Sequence, residues 1–213
     1  MSDNETDAVQ YRPSPNGITT ITLTRKLYDT FLNYEADDSQ KVCVFYGLHG
    51  TFCAGADLHA VADDSLTDVA HLGPVRGRYI APMGPSRMQL RKPAICAVSV
   101  YALAVGLELS LLGDMRVAED DAVFGVFCRR FGGSLIDGGT VRLSAIVGLG
   151  RAMDMILTGR AMGAPQALSL GLANSLVQKG KAFEEAMTIA EQLLNFPQLC
   201  MNKDRQSAYY ATF

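Results

Sequence analysis

Residues 51–58 read TFCAGADL and follow an apolar run at 42–46, VCVFY, of the kind that forms a strand buried on both faces. Residues 47–50, GLHG, are typical of a turn out of that strand, and Asp57 is a candidate N-cap for a following helix. A strand that leads through Ala-Gly-Ala into a helix start leaves backbone N–H groups unpaired, where an anion or a polarised carbonyl oxygen could bind. Alone the pattern is weak, because many such turns carry Gly and Ala only for tight packing.

The same pattern occurs a second time along the chain. Residues 92–100, KPAICAVSV, predict another buried strand, and residues 101–109, YALAVGLEL, supply a turn of small residues and then a helix. Two such turns from neighbouring parallel strands would aim two N–H groups at one point. An oxyanion hole for a thioester enolate needs this arrangement.

A series of motifs in this order resembles the crotonase (enoyl-CoA hydratase/isomerase) superfamily. The motifs lie at 52–58, 92–93, 102–109, 114–118, 124–125, 138–143, 157–160 and 167–174. The resemblance covers nearly the whole chain from about Ile18 onward. It implies an α/β fold of the crotonase type, a ClpP/crotonase spiral of ββα repeats with C-terminal helices. It also implies acyl-CoA chemistry through a stabilised thioester enolate.

The predicted organisation has three parts. Residues 1–16 are polar with two prolines and are expected to be flexible, 17–195 form the core domain, and 196–213 form a C-terminal helical segment. Compared with the family, an Asn-Ala-containing loop that helps to hold CoA is missing before the first helix, and the C-terminus looks short. The Pro- and Gly-containing stretch 59–91 flanks the acyl pocket in the family and is the predicted mobile segment, where Met83 and Met88 either line that pocket or fill core.

The spacing of apolar residues predicts the remaining elements. A strand is expected at 18–23, and a helix from Arg25 that residues 37–39 close. The helix that contains Glu108 is predicted to continue to residue 112, and further helices are predicted at 138–147, 152–157, 165–170, 183–194 and 197–213. Short extended segments are predicted at 115–118, 122–124 and 175–177.

The amino-acid composition limits the kinds of binding partner that are expected. The 213 residues are 48% hydrophobic and 19% charged, which suits one globular domain, and the net charge of −3 gives no reason to expect nucleic acid or an anionic membrane surface. No transmembrane run is present. The resemblance implies an acyl-CoA substrate and an oligomer, a homotrimer or a dimer of trimers, to which some of the apolar surface would contribute.

The cysteines and histidines predict no metal site. The five cysteines form no CxxC pair, and His49, His59 and His71 lack metal-ligand spacing, so a reducing compartment is expected. No targeting signal is recognised, which makes the cytoplasm the default and leaves mitochondria and peroxisomes open. The family implies no cofactor, because coenzyme A is part of the substrate.

Glu108 is the leading catalytic candidate. It lies in the first turn of a predicted helix between Leu107 and Leu109, an apolar setting where a carboxylate is costly. A simple interaction with the positive helix N-terminus is the alternative. We favour function, because burial would raise the pKa of the carboxyl toward the range of acid/base catalysis. In the family, the matching Glu handles a proton or positions the attacking water.

The second acid/base group departs from the family pattern. Hydratases carry a second Glu shortly after a Phe-Gly pair, and that position, counted from residues 124–125, is Cys128 here. A thiol cannot match a carboxylate, since its ordinary pKa is about 8.5. Asp137 lies near in the family fold and is a candidate substitute, although a role as helix N-cap is the stronger interpretation.

The remaining site residues follow from the resemblance. The backbone N–H groups of Ala56 and Val105 are the expected oxyanion-hole donors. Substrate contacts are assigned to Ala54, Ala56, Asp57, Leu58, His59 and Val105. Arginines at 129, 130 and 151 could meet CoA phosphates, but solvated or paired surface charges are the better interpretation.

Three functions remain at this point. The leading one is addition of water to a 2-enoyl-CoA, and the near rival is a shift of the double bond in an enoyl-CoA, for which one acid/base suffices. A non-catalytic crotonase-like subunit, or a truncated form, is the alternative of another class. Cys128 and the two apparent truncations favour this last possibility, whereas Glu108 and both turns favour an enzyme.

Overall fold

Two sheets position the predicted turns in the computed structural model, which describes residues 11–22, 27–55, 80–82 and 84–212. In the larger sheet the strand order is β1-β2-β3-β4-β6-β9, and in the smaller it is β5-β7-β8. The strands are β1 Tyr11–Pro13, β2 Ile18–Thr22, β3 Val42–Tyr46, β4 Ala94–Val98, β5 Tyr101–Leu103, β6 Met115–Glu119, β7 Val123–Gly125, β8 Met162–Gly163 and β9 Ser175–Val177. From β2 to β9 the neighbours in the larger sheet pair in parallel.

Helices cover both faces of this sheet. They are α1 Leu27–Ala36, α2 Val105–Ser110, α3 Gly139–Val147, α4 Leu149–Thr158, α5 Ala164–Ser169, α6 Ala182–Leu194 and α7 Gln198–Thr212. Strands β4 and β5 lead into α2, and β6 and β7 lead through a 3₁₀ helix, Phe127–Phe131, toward α3. These are the ββα repeats that the sequence predicts.

The central strands are buried on both faces, as their apolar runs predict. In β3, Val42 and Val44 face a small cluster beneath α6, whereas Cys43 and Phe45 face the main core. The alternation follows from the two-residue period of a strand. Helix α6 completes the small cluster with three alanines, at 182, 186 and 190, which let the helix lie close to the sheet.

The N-terminal edge differs from the sequence prediction. Tyr11–Pro13, placed within the flexible segment 1–16, forms strand β1 and pairs antiparallel with β2. The two prolines led to the prediction of a flexible segment here. An edge strand nevertheless tolerates Pro, because its backbone forms hydrogen bonds with a neighbouring strand on one side only. The sequence pattern also does not predict β5 and β8, since it places a turn directly after residue 100 and no element at 162–163. The remaining elements lie within a few residues of their predicted positions, while the predicted helix after Asp57 lies outside the described residues.

Candidate active site

The two turns predicted from the sequence lie side by side. The Cys53 N–H donates to the Tyr101 carbonyl at 2.8 Å, and the Leu103 N–H donates to the Cys53 carbonyl at 3.0 Å. At Gly106, a Cβ atom would stand only 2.2 Å from the Cys53 carbonyl oxygen, so this contact requires glycine. A Cβ on Gly55 would lie 3.5 Å from the Cβ of Ala104. The residues that precede the two expected oxyanion donors are therefore neighbours.

Val105 occupies the position that its predicted role requires. It is the first residue of α2, so its N–H has no carbonyl within the helix to bond. Ala104 precedes it with a φ of 52°, a backbone conformation uncommon for a residue with a Cβ. The second expected donor, Ala56, lies outside the described residues, as do Asp57, Leu58 and His59. Ala54 is exposed at the end of the first turn.

Only one of the two carboxyl oxygens of Glu108 accepts hydrogen bonds from the described residues. Its side chain is buried, with 1% of the residue exposed. One carboxyl oxygen, Oε1, accepts hydrogen bonds from the N–H groups of Asp137 at 2.9 Å and Gly139 at 2.8 Å. For the other, Oε2, the described residues supply no hydrogen-bond partner. The carboxyl is thus held in place by main-chain donors while one oxygen remains available to a bound molecule.

The surroundings of Glu108 shift its acidity strongly. Burial, followed by the nearby charge of Asp137, raises the pKa of this carboxyl from 4.5 to about 8. The two N–H donors and the guanidinium of Arg87 act in the opposite direction. Near neutral pH the group is therefore largely protonated and close to the pKa that suits an acid/base catalyst.

Asp137 lies beside Glu108 and does not cap helix α3. Helix α3 begins at Gly139, its N-cap is Gly138, and no side chain caps it, so the N-cap interpretation is wrong. The Asp137 side chain is buried and accepts a hydrogen bond from the Ser86 hydroxyl at 2.5 Å. Its backbone points to Glu108 at the same time. Asp137 thus lies beside Glu108, as the resemblance implied.

Cys128 lies near Glu108 but is poorly suited to acid/base work. It is half-buried in the 3₁₀ helix Phe127–Phe131. Burial, and then the charge of Glu108, raises the pKa of its thiol above 9.0. A neutral thiol at this position can neither take a proton from water nor hold a developing positive charge.

Sequence reasoning missed Ser86, Arg87 and Arg142. Arg142 is buried and donates to the carbonyls of Ser86 and Met88, and burial lowers the pKa of its guanidinium to about 10. The Nε and Nη1 atoms of Arg87 are buried without a hydrogen-bond partner in the described structure. For Ser86 and Arg87 the one usable signal was their position in the stretch 59–91, which flanks the acyl pocket in the family, whereas Arg142 lies outside that stretch.

The other sequence candidates lie elsewhere. Met88 is fully buried in the main core, whereas Met83 falls outside the described residues. Arg129 and Arg130 donate to the carbonyls of Ile156 and Gly159. Nowhere in the described residues do three or more His, Cys, Asp or Glu side chains form a group that could hold a metal ion. Of the helices that are described, none is long and apolar enough to cross a bilayer.

Comparison with known sequences gives consistent matches. The family model described as enoyl-CoA hydratase/isomerase matches residues 10–208. A carnitinyl-CoA dehydratase from Escherichia coli K12 is 34% identical over 185 residues, which are 86% of this chain and 69% of that protein. A probable peroxisomal enoyl-CoA hydratase 1 from Arabidopsis thaliana is 29% identical over 95% of this chain and 87% of its own.

Comparison with solved structures agrees. An enoyl-CoA hydratase from Mycobacterium marinum superimposes with a TM-score of 0.84 at 30% identity, covering 96% of this chain and 82% of its own. An enoyl-CoA hydratase from Mycobacterium tuberculosis gives a TM-score of 0.81, also at 30% identity, over 93% of this chain and 80% of its own.

Proposed function

Because the chain belongs to the enoyl-CoA hydratase/isomerase family, we propose that it adds water to the double bond of a 2-enoyl-CoA thioester. The family, the crotonase-like α/β fold and the hydratase-like acyl-CoA enzyme predicted from the sequence are confirmed. The observation that carries the proposal for this site is the buried Glu108, with one oxygen fixed by two N–H groups and the other without a partner.

The proposed reaction begins at the thioester carbonyl. The N–H of Val105, together with the expected N–H of Ala56, stabilises the negative charge that develops on the carbonyl oxygen. Water oxygen bonds to the β-carbon, the electrons of the double bond move onto the thioester as an enolate, and the α-carbon then takes a proton. The products balance as one water added across the bond.

Two carboxyl groups handle the protons in this scheme. Glu108, largely protonated near neutral pH, delivers a proton to the α-carbon. Asp137 takes the proton that water loses, held in place by the Ser86 hydroxyl. Transfer of this proton between the two carboxyl groups restores the starting state. Cys128 takes no part, because its thiol stays neutral.

We further propose that the protein works as a homotrimer or a dimer of trimers. Support comes from α4, where Leu149, Met153 and Leu157 recur every four residues and are 62%, 41% and 70% exposed. Residues with this spacing share one face of a helix, and a continuous apolar face is typical of an interface. The proposed chemistry uses no cofactor beyond the coenzyme A of the substrate.

Hydration of crotonyl-CoA, followed by loss of absorbance of the conjugated thioester, tests the proposal. We expect Glu108→Gln and Asp137→Asn each to lower kcat by about 10²–10⁴-fold, the usual contribution of an acid/base group. Cys128→Ala should stay within about threefold of the parent, since removal of a group outside the reaction leaves kcat unchanged.

A second assay separates the rival functions. Exchange of the α-proton of butyryl-CoA with deuterated water reports enolate formation even where no water is added. Exchange without hydration, together with migration of the double bond in 3-hexenoyl-CoA, would favour the isomerase. Absence of turnover, exchange and migration with a folded protein would overturn the enzymatic proposal and leave the non-catalytic subunit.

A further inference from the structure

Arg87 differs from the other arginines of the interior. Arg116 and Arg142 are buried, and each directs its guanidinium to backbone carbonyls: Arg116 to Leu172 and Gly113, Arg142 to Ser86 and Met88. These two side chains are therefore satisfied as structural parts of the fold. In Arg87, by contrast, Nε and Nη1 are buried and the described residues offer them no acceptor.

Burial of the Nε and Nη1 atoms of Arg87 without an acceptor is energetically costly. Desolvation of its N–H groups is compensated only when each finds a partner, so a folded protein rarely leaves such a group idle. A carboxylate can accept two parallel hydrogen bonds from one edge of a guanidinium, and each such edge pairs Nη2 with either Nε or Nη1. The missing partner of Arg87 is therefore best supplied by an anionic ligand with two oxygens.

The position of Arg87 indicates which part of a ligand would reach it. Its neighbour in the 3₁₀ helix Pro85–Arg87 is Ser86, whose hydroxyl donates to Asp137, and the Arg87 guanidinium is close enough to Glu108 to lower the pKa of that carboxyl. Glu108 and Asp137 act at the α- and β-carbons in the proposed reaction. The phosphates of coenzyme A are separated from these carbons by the whole pantetheine arm, whereas the acyl tail continues directly from them.

We propose that Arg87 binds a carboxylate at the far end of the acyl chain, so that the substrate is the monothioester of an unsaturated dicarboxylic acid. The proposal rests on the proposed function in assuming an acyl-CoA ligand, but it concerns binding of the tail and not the chemical step. The carboxylate would accept hydrogen bonds from Nη2 of Arg87 and from one of the two buried nitrogen atoms, Nε or Nη1. An acyl chain that ends in a methyl group would supply no acceptor for these N–H groups.

Binding of saturated analogues tests this proposal without turnover. Isothermal titration would compare glutaryl-CoA, which carries a terminal carboxylate, with pentanoyl-CoA, which has the same number of carbons and a methyl end. We expect glutaryl-CoA to bind at least about 30-fold more tightly to the parent protein, the lower range for a desolvated charge pair. In Arg87→Met this preference should vanish, and Arg87→Lys should retain part of it.

Controls separate the role of Arg87 from general effects. Arg12→Met removes an exposed arginine of β1 and should leave the preference unchanged. Free coenzyme A should bind equally to the parent and to Arg87→Met. A loss of affinity for coenzyme A, equal affinity of the parent for the two thioesters, or an equal loss for both in Arg87→Met would overturn the proposal.

Turnover then distinguishes this proposal from the proposed function. With glutaconyl-CoA and 2-pentenoyl-CoA as substrates, Arg87→Met should lower kcat/KM about 30-fold or more for the first and within about threefold for the second. If the parent hydrates 2-pentenoyl-CoA as efficiently as glutaconyl-CoA, the tail proposal fails and the hydratase proposal stands. If glutaryl-CoA is preferred and neither substrate is hydrated, the hydratase proposal fails and the tail proposal stands.

Discussion

At the scale of the residue, the burial that raises the pKa of Glu108 also makes the stability of the fold depend on pH. Its carboxyl ionises near 4.5 in an unfolded chain and near 8 in the fold, so the folded state holds more protons between these values. Stability is then highest at the acidic end of this range and falls as the pH rises toward 8. The cause is the burial that also brings the group into the range of acid/base catalysis.

Replacement of Glu108 by Gln should therefore stabilise the protein at alkaline pH. The amide keeps an oxygen for the two N–H donors but cannot ionise, so we expect a higher Tm than the parent at pH 9 and a similar Tm at pH 5. The gain should reach a few kcal/mol, since one pKa unit corresponds to about 1.4 kcal/mol. Thermal unfolding over pH 5–9 measures it.

The exposed Glu191 on α6 supplies the control. Glu191→Gln should have the same Tm as the parent at every pH, because the exposed side chain keeps its contact with water on folding. A Tm of Glu108→Gln that follows the parent at every pH would contradict the buried, shifted carboxyl.

At the scale of the element, the site depends on the contact between the turn after β3 and the start of α2. Gly106 permits this contact, since a Cβ there would meet the Cys53 carbonyl oxygen at 2.2 Å. The sequence predicts both turns because each is a local strand-to-helix pattern. It does not predict the Ser86–Asp137 hydrogen bond, because this bond joins segments 51 residues apart that share no pattern. Nor does it predict that Nε and Nη1 of Arg87 are buried without a partner among the described residues, because burial of single atoms depends on tertiary packing.

Gly106→Ala should force the two turns apart. We expect a loss of about 1–3 kcal/mol in the free energy of unfolding, the usual cost of overpacking, together with a strong fall in kcat/KM. Gly150→Ala is the matched control, since Gly150 lies in α4 with open space around its Cβ position. There the substitution should be neutral or stabilising, because alanine restricts the unfolded chain. Denaturant unfolding of both variants measures the difference.

Were Gly106→Ala as stable and as active as Gly150→Ala, the close approach of the two turns would be refuted. Position 105 should tolerate side-chain substitutions better than position 106, because only the backbone N–H of Val105 takes part in the proposed reaction. The side chain of Val105 is half-buried.

At the scale of the whole molecule, the apolar face of α4 marks where copies of the chain would meet. Composition alone suggested some apolar excess, but only the structure places Leu149, Met153 and Leu157 together on the surface. The sequence pattern predicted most helices and strands because each follows from local periodicity. It missed β5 and β8, which are three and two residues long, and β1, an edge strand that carries Pro13 and pairs on one side only.

Met153→Glu should break the proposed assembly. A charge at the centre of an apolar interface loses its hydration without gaining a partner, so the oligomer should dissociate toward the 23.0 kDa chain. Light scattering after size-exclusion chromatography measures the mass, with Glu191→Lys as a charge-changing control on α6. A parent that is monomeric, or a Met153→Glu protein of unchanged mass, would refute this interface.

The hydrogen bonds that orient the Glu108 carboxyl also determine which positions around it can change during evolution. Both groups that orient the carboxyl belong to the main chain, at Asp137 and Gly139, so a change of side chain at 137 leaves the N–H donor in place. Only Gly139 is constrained, since a Cβ there would lie 2.6 Å from the Cγ of Glu108. Residues proposed to contact the acyl chain, such as Arg87, can therefore change during evolution while the orientation of the Glu108 carboxyl is retained.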